Sequence, residues 1–191
     1  MLPEDILLHI FHLHLGANLH TWHILGWVCQ KWRQIVFTSP LGLNLQICCT
    51  YGTPALKSLD CWPAIPIILQ YGGISNLNLL SPSDEDNIVA ALRHSGRVSI
   101  INLTVTSSLL GKLSALRDLE PFSELEELCL LPRDDQQPMA LPSAFRWGPH
   151  LRILHSTRIA FTSFPQLHSR SQNLVELKLC EIPTSANDHV T

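Results

Sequence analysis

A chain of 191 residues holds one domain, or one small and one elongated domain. Its 13 Lys and Arg against 16 Asp and Glu give a formal net charge of −3, and only 15% of residues are charged against a usual ~25%, so its apolar surface must be hidden inside the fold or against partners. It has no basic run, no apolar stretch of the ~18 residues that a membrane span needs, and an acidic start at Met1 to Asp5, which together argue against nucleic-acid, membrane and secretory roles.

The six cysteines, Cys29, Cys48, Cys49, Cys61, Cys129 and Cys180, form no Cys-x-x-Cys pair. They read as free thiols of a reduced, intracellular protein, cytoplasmic or nuclear, with Cys29 and Cys129 acting as small hydrophobes. The vicinal pair Cys48–Cys49 lies in a strand-like run, which sends its two side chains to opposite faces.

In chain order, the first predicted element is a helix. Pro3 suits a first helical turn, and Glu4 and Asp5 follow where the helix dipole favours acids. Ile6, Leu7, Ile10, Phe11 and His14 then make one wide apolar face. A second stretch sets Leu25, Val28, Cys29, Trp32, Ile35 and Val36 at the same spacing and ends at Ser39–Pro40. Two helices this short cannot bury both faces against each other alone, so another surface covers the rest.

The order Leu2-Pro3-x-Asp5-Ile6-Leu7-x-x-Ile10-Phe11, then Val28-Cys29-x-x-Trp32-Arg33, resembles the signature of the F-box. The gap from Ile10 to Val28 is a few residues longer than in the commonest F-boxes, and the excess falls in Gly16 to Thr21, a loop by composition. With Cys49 to Pro54 and Asp60 to Pro63, the chain resembles F-box proteins abundant in basidiomycete fungi, specifically so through residues 1–70 and more loosely beyond. The resemblance implies docking on a Skp adaptor and, through it, on a cullin. Carried over by position, the docking residues are Leu2, Pro3, Ile6, Leu7, Ile10, Phe11, Leu25, Val28, Cys29 and Trp32, some of which must also form the helices' own core.

Beyond residue 40, alternation of Leu43, Leu45 and Ile47 predicts a strand, and Pro54 to Leu59 a short helix. No Gly/Ser linker separates this segment from the helices, so a rigid junction is expected. From residue 74 an apolar-x-x-apolar-x-apolar pattern recurs as Ile74–Leu77–Leu79, Val98–Ile101–Leu103, Leu125–Leu128–Leu130, Leu151–Leu154–Ser156 and Leu174–Leu177–Leu179, at intervals of 23 to 27 residues. That lies within the roughly 20–29-residue period of leucine-rich repeats, although the asparagine usual after the strand is absent. For the first of these, the family resemblance implies instead a strand at Pro66 to Gln70 and a loop from Gly72 to Pro82. Helices are predicted from Ser83 through Leu92 to Gly96 and from Leu109 to Leu119, with shorter ones at Pro142–Trp147 and Phe164–Ser171.

The expected fold is thus α/β: F-box helices over 1–40, a junction and first solenoid turn over 41–73, an irregular leucine-rich-repeat-like solenoid with a curved parallel sheet over 74–183, and a polar tail over 184–191. Strand alternation puts Asn102, Cys129, His155 and Lys178 on the concave face, flanked by Thr104, Leu131, Thr157 and Cys180 and by Ile100, Glu127, Ile153 and Glu176. From this strip Asn102, Glu127, Cys129, His155, Thr157 and Lys178 are the candidate substrate-binding residues. The tail follows a repeat strand with no capping repeat, which raises the alternative of a truncated or degenerate product.

Enzymatic chemistry finds little support. His9, His12, His14, His20 and His23 cluster, and His9 with His12 share a helix face, but no cysteine ligand or acidic pattern accompanies them. No phosphate loop, Gly-x-Ser-x-Gly or His-Glu-x-x-His occurs. The expectation is no catalytic residue, no metal and no cofactor. The function expected from the resemblance is a substrate-recognition adaptor of a Skp-cullin-F-box ubiquitin ligase whose repeats bind a protein substrate. The alternative is a repeat-type protein-binding module without a ubiquitin role.

Overall fold

The computed structural model describes residues 2–17, 22–40, 42–52, 59–60, 64–72, 80–116, 119–133, 139–141, 146–161 and 172–181. Helix α1 runs Glu4–Ala17, with Glu4 and Asp5 in its first turn and the Pro3 carbonyl accepting from the Leu7 N–H at 3.2 Å. Gly16 and Ala17 continue this helix, where composition suggests loop. The second helical stretch is broken. Helix α2 (Trp22–Val28) and helix α3 (Gln30–Thr38) flank Cys29, which is extended at φ −160° and ψ 168°. The single face expected from Leu25 to Val36 is therefore divided between two axes, and Cys29 is exposed rather than packed as a small hydrophobe. Arg33 holds the break by donating Nε–H to the Gly26 carbonyl at 2.9 Å.

Strands follow at β1 (Ile47–Cys49), β2 (Ile67–Tyr71), β3 (Val98–Val105), β4 (Glu127–Pro132), β5 (Met139–Leu141), β6 (Ile153–Thr157), β7 (Ile159–Phe161) and β8 (Glu176–Cys180). A six-stranded sheet in the order β1-β2-β3-β4-β6-β8 is parallel at every pairing, and β5 with β7 forms a small parallel pair. Parallel neighbours require crossovers. Between β2 and β3 the crossover holds helix α4 (Pro82–Leu92), and between β3 and β4 helix α5 (Ser107–Ser114). The fold is mixed α/β, with five α-helices among the described residues.

Several elements differ from the sequence expectation. Leu43 and Leu45 are buried, but the strand begins only at Ile47, because Gly42 to Asn44 form a turn in which Asn44 takes the left-handed φ of 50°. The strand between β1 and β3 is Ile67–Tyr71, the position implied by the family resemblance, and the pattern at Ile74–Leu77–Leu79 lies outside the described residues. Helix α4 is capped by Ser81, not Ser83: the Ser81 hydroxyl accepts from the Asp84 N–H and the Asp84 carboxylate accepts from the Ser81 N–H, with Pro82 at the first helical position. Helix α5 starts earlier than Leu109, because Thr106 caps it through the Leu109 N–H. The segments Pro54–Leu59, Pro142–Trp147 and Phe164–Ser171 lie wholly or mostly outside the described residues.

One buried apolar cluster runs from Leu7, Phe11 and Leu15 through Ile47, Leu69, Ile101, Leu128 and Leu154 to Ile159. It crosses residues 40 and 73 without interruption. The junction after α3 is fastened by Trp22, whose Nε1–H donates to the Gln46 carbonyl at 2.6 Å. Strand entry is repeated along the sheet: the Glu126 carbonyl accepts from both Arg152 and Ile153, and one strand later the Arg152 carbonyl accepts from both Val175 and Glu176. The strand exits match too. Arg158 and Glu181, the residues just after paired Thr157 and Cys180, have φ of 52° and 51°.

Two neighbouring carboxylates tie successive crossovers together. Asp84 accepts from the Gly52 N–H at 2.9 Å, reaching back past β2. Glu85 accepts from the hydroxyls of Thr106 at 3.0 Å and Ser108 at 2.8 Å and pairs with Lys112 at 3.1 Å, reaching forward to α5. Burial by itself raises both carboxyls, but these hydrogen bonds outweigh it and hold each below its ordinary value.

Candidate functional site

The first candidate surface is carried by α1 and α2. On α1 the apolar face splits. Leu7, Phe11 and Leu15 turn inward and are at most 4% exposed, while Leu2, Ile6, Ile10 and Leu13 are 41–67% exposed. The outward set recurs at four, four and three residues, which is one stripe along the helix. On α2, Leu25 is buried, whereas Ile24, Trp27 and Val28 are exposed at 47%, 65% and 56%. Trp32 of α3 is half-buried against Phe11, with ring centroids 4.7 Å apart in an edge arrangement.

Of the residues carried over from the F-box signature, Leu2, Pro3, Ile6, Ile10, Val28 and Cys29 therefore lie on the surface. Leu7, Phe11 and Leu25 belong to the interior and are the members of the set that form the helices' own core. Leu13, Ile24 and Trp27 are surface apolar residues that the signature does not mark. Helical spacing from Ile6 and Ile10 finds Leu13, spacing from Val28 finds Ile24, and spacing from Ile24 finds Trp27.

The second candidate surface is one face of the main sheet. Register aligns Gln70, Asn102, Cys129, His155 and Lys178 in one row across β2, β3, β4, β6 and β8. A second row holds Ile68, Ile100, Glu127, Ile153 and Glu176, and Thr104 and Leu131 pair beyond them, as do Thr157 and Cys180. All six candidate substrate-binding residues fall on this face. Apart from exposed Lys178 they are half-buried.

Its polar groups are unevenly satisfied. The Asn102 Oδ1 is buried and has no hydrogen-bond partner among the described residues. It lies against Gly72, where an added Cβ would come 1.8 Å from it, so Gly72 is the residue that gives Asn102 room. At the other end, Glu176 contacts Lys178 and lies 3.1 Å from His155 Nε2, close enough to pair though not aligned for a full hydrogen bond. Lys178 first, and His155 after it, hold the Glu176 carboxyl below its ordinary value. Burial pushes the Cys129 thiol up, and Glu127 adds to that. Cys49 faces the core and its thiol is pushed up to about 12 by burial, which makes it a poor nucleophile. Cys48 points to the other face and is half-buried.

A cleft of about 500 Å³ lies apart from both surfaces, lined by Arg93, His94, Arg97, Glu120 and neighbours. Arg97 is committed there, donating from Nε and Nη2 to the Ile65 carbonyl at 3.1 Å each. His9, His12 and His14 are exposed on α1, and among the described residues no three His, Cys, Asp or Glu side chains converge as metal ligands. No helix among the described residues is long and apolar enough to cross a membrane.

In comparison with known proteins, the chain matches no family model, no curated protein and no solved structure.

Proposed function

We propose that the chain is a substrate-receptor subunit, with α1 to α3 acting as an F-box that docks a Skp adaptor and the sheet acting as a leucine-rich-repeat-like surface that holds a protein substrate. The observation that carries this reading is the outward stripe Leu2, Ile6, Ile10 and Leu13, joined by Ile24, Trp27 and Val28, on helices whose opposite faces are already buried. Such apolar exposure, repeated at helical spacing, is what a partner covers. The motif around it is F-box-like in order and residue type. Burial of the stripe supplies the binding energy, at roughly 25 cal/mol per Å² before association costs. The ligase chemistry takes place on other subunits, and this chain contributes proximity.

A second reading treats α1 to α3 as the end cap of a protein-binding solenoid with no ubiquitin role. Phe11, Leu15, Trp22, Ile35 and Val36 favour it, because they are buried in the same cluster as the sheet. Co-expression with a Skp adaptor separates the two. The receptor reading predicts a stable complex and a higher soluble yield than for the lone chain. A well-behaved lone monomer that ignores the adaptor establishes the cap reading instead.

A further inference from the structure

We infer that strand β8 is a self-association edge, at which a second copy of this chain adds its own β8 antiparallel about a two-fold axis at Leu177. This edge borders the sheet face and shares Glu176 and Lys178 with it, but the inference does not depend on the ubiquitin reading.

The first observation is an abrupt loss of burial along one row. The inward residues Ile101, Leu128 and Leu154 of β3, β4 and β6 are each fully buried, but their neighbour in register, Leu177, is 47% exposed. Val175 beside it is 75% exposed, and Leu174 and Leu179 are only partly covered. The β6 side of β8 is paired, and among the described residues no strand lies on its other side. Among the described residues the apolar row therefore ends at an unpaired strand, an edge that natural sheets ordinarily blunt or cover.

The second observation is the direction of the backbone. The Glu176 N–H donates to the Arg152 carbonyl and the Cys180 carbonyl accepts from the Arg158 N–H, so Glu176 and Cys180 turn their backbone groups toward β6. Backbone groups alternate in direction along a strand, so Leu177 and Leu179 turn theirs toward the open edge. A copy related by a two-fold axis at Leu177 meets the Leu177 groups with its own, and the Leu179 N–H then faces the Val175 carbonyl of the other copy, the Val175 N–H being already given to the Arg152 carbonyl. Leu177 pairs with Leu177 of the other copy, each donating its N–H to the other's carbonyl, and the two leucines meet on the apolar face.

The third observation is charge, and it selects both the occupant and the register. With the axis at Leu177, Glu176 of each copy stands opposite Lys178 of the other, in the closely spaced non-hydrogen-bonded position. Shifting the axis by one residue sets Lys178 against Lys178. Shifting it by two sets Leu177 against charged Glu181. Only the Leu177-centred register places apolar on apolar and opposite charges on each other at once. An isologous contact of this kind closes on itself and makes the two sheets continuous.

The test is sedimentation equilibrium of the full chain over a range of concentrations, in wild type and in an Ile6→Asp/Ile10→Asp background that silences the helical stripe. The inference predicts that the mass rises with concentration from one chain toward two in both backgrounds. E176K alone and K178E alone each weaken association roughly tenfold or more, because like charges then face each other twice. An equimolar mixture of the E176K and K178E chains regains association as a heterodimer, and so does the E176K/K178E double variant. Both side chains are substantially exposed, so these changes leave folding intact, and circular dichroism checks that. A chain that stays monomeric throughout overturns the inference, whether the edge is then covered by a different protein or by a further stretch of chain. Association that is indifferent to the charge reversals, or that vanishes with the helical stripe alone, also overturns it.

Discussion

Tyr71 is fully buried, its backbone carbonyl accepts from the Tyr51 hydroxyl at 2.8 Å, and its own hydroxyl has no partner among the described residues. Its ring is held edge-on to Tyr51 with centroids 5.3 Å apart, so the ring contributes and the hydroxyl only costs. Tyr71→Phe should therefore raise stability, by about 1 kcal/mol in a denaturant melt. Glu85 is the reverse case, because three donors depend on it. Glu85→Ala strands the hydroxyls of Thr106 and Ser108, leaves Lys112 its pair with Asp86, and should cost about 1–3 kcal/mol in the same melt. Asp84 and Glu85 both have folded-state values below their ordinary ones of about 3.9 and 4.3, so their contribution is complete above that range and drains as pH falls through the lower folded values. Thermal stability should drop on acidification below about pH 4, and Asp84→Asn with Glu85→Gln should flatten that limb. The acidic run at residues 84–86 is legible in the sequence as a helix start. That two of its members are buried and bridge neighbouring crossovers is not, because their partners Gly52, Thr106 and Ser108 are distant in sequence.

At the scale of elements, strands β3, β4, β6 and β8 are legible because their inward residues recur with one spacing, and the register then places Asn102, Cys129, His155 and Lys178 in a single row. The break at Cys29 is not legible. Neither Pro nor Gly marks it, and the apolar spacing runs through it, whereas the Arg33 to Gly26 contact that holds it is a product of packing. Nor does periodicity divide α1 between Leu7 and Phe11 inside and Ile6 and Ile10 outside, since all four lie within one wide stripe. Close approach between elements is likewise visible only in three dimensions. At Gly148 an added Cβ would come 2.9 Å from the Ser123 backbone oxygen, where the Gly148 N–H also donates to the Phe122 carbonyl. Backbone cannot yield as a side chain tip does, so Gly148→Ala should destabilise by about 1–3 kcal/mol, read as a lowered denaturation midpoint. At Gly72 the obstacle is the Asn102 side chain itself, so Gly72→Ala should displace Asn102 at smaller cost and alter the sheet face.

Among the described residues, apolar surface is closed in the middle and open at two places, the helical stripe of α1 and α2 and the edge at β8. Low charge content in the sequence signals that such surface exists, but only the fold locates it. The receptor account assigns the stripe to a Skp adaptor and the sheet face to a substrate, and the two functions should separate by mutation. The most direct measurement is therefore capture of a purified Skp adaptor by the folded chain. The account predicts that Ile6→Asp with Ile10→Asp, both at solvent-exposed positions, weakens capture roughly 100-fold or more by placing charge against an apolar partner, while circular dichroism is unchanged. It also predicts that His155→Glu with Lys178→Glu on the sheet face leaves capture as it was. Undiminished capture by the folded Ile6→Asp/Ile10→Asp chain, or no capture by the wild-type chain, would contradict it.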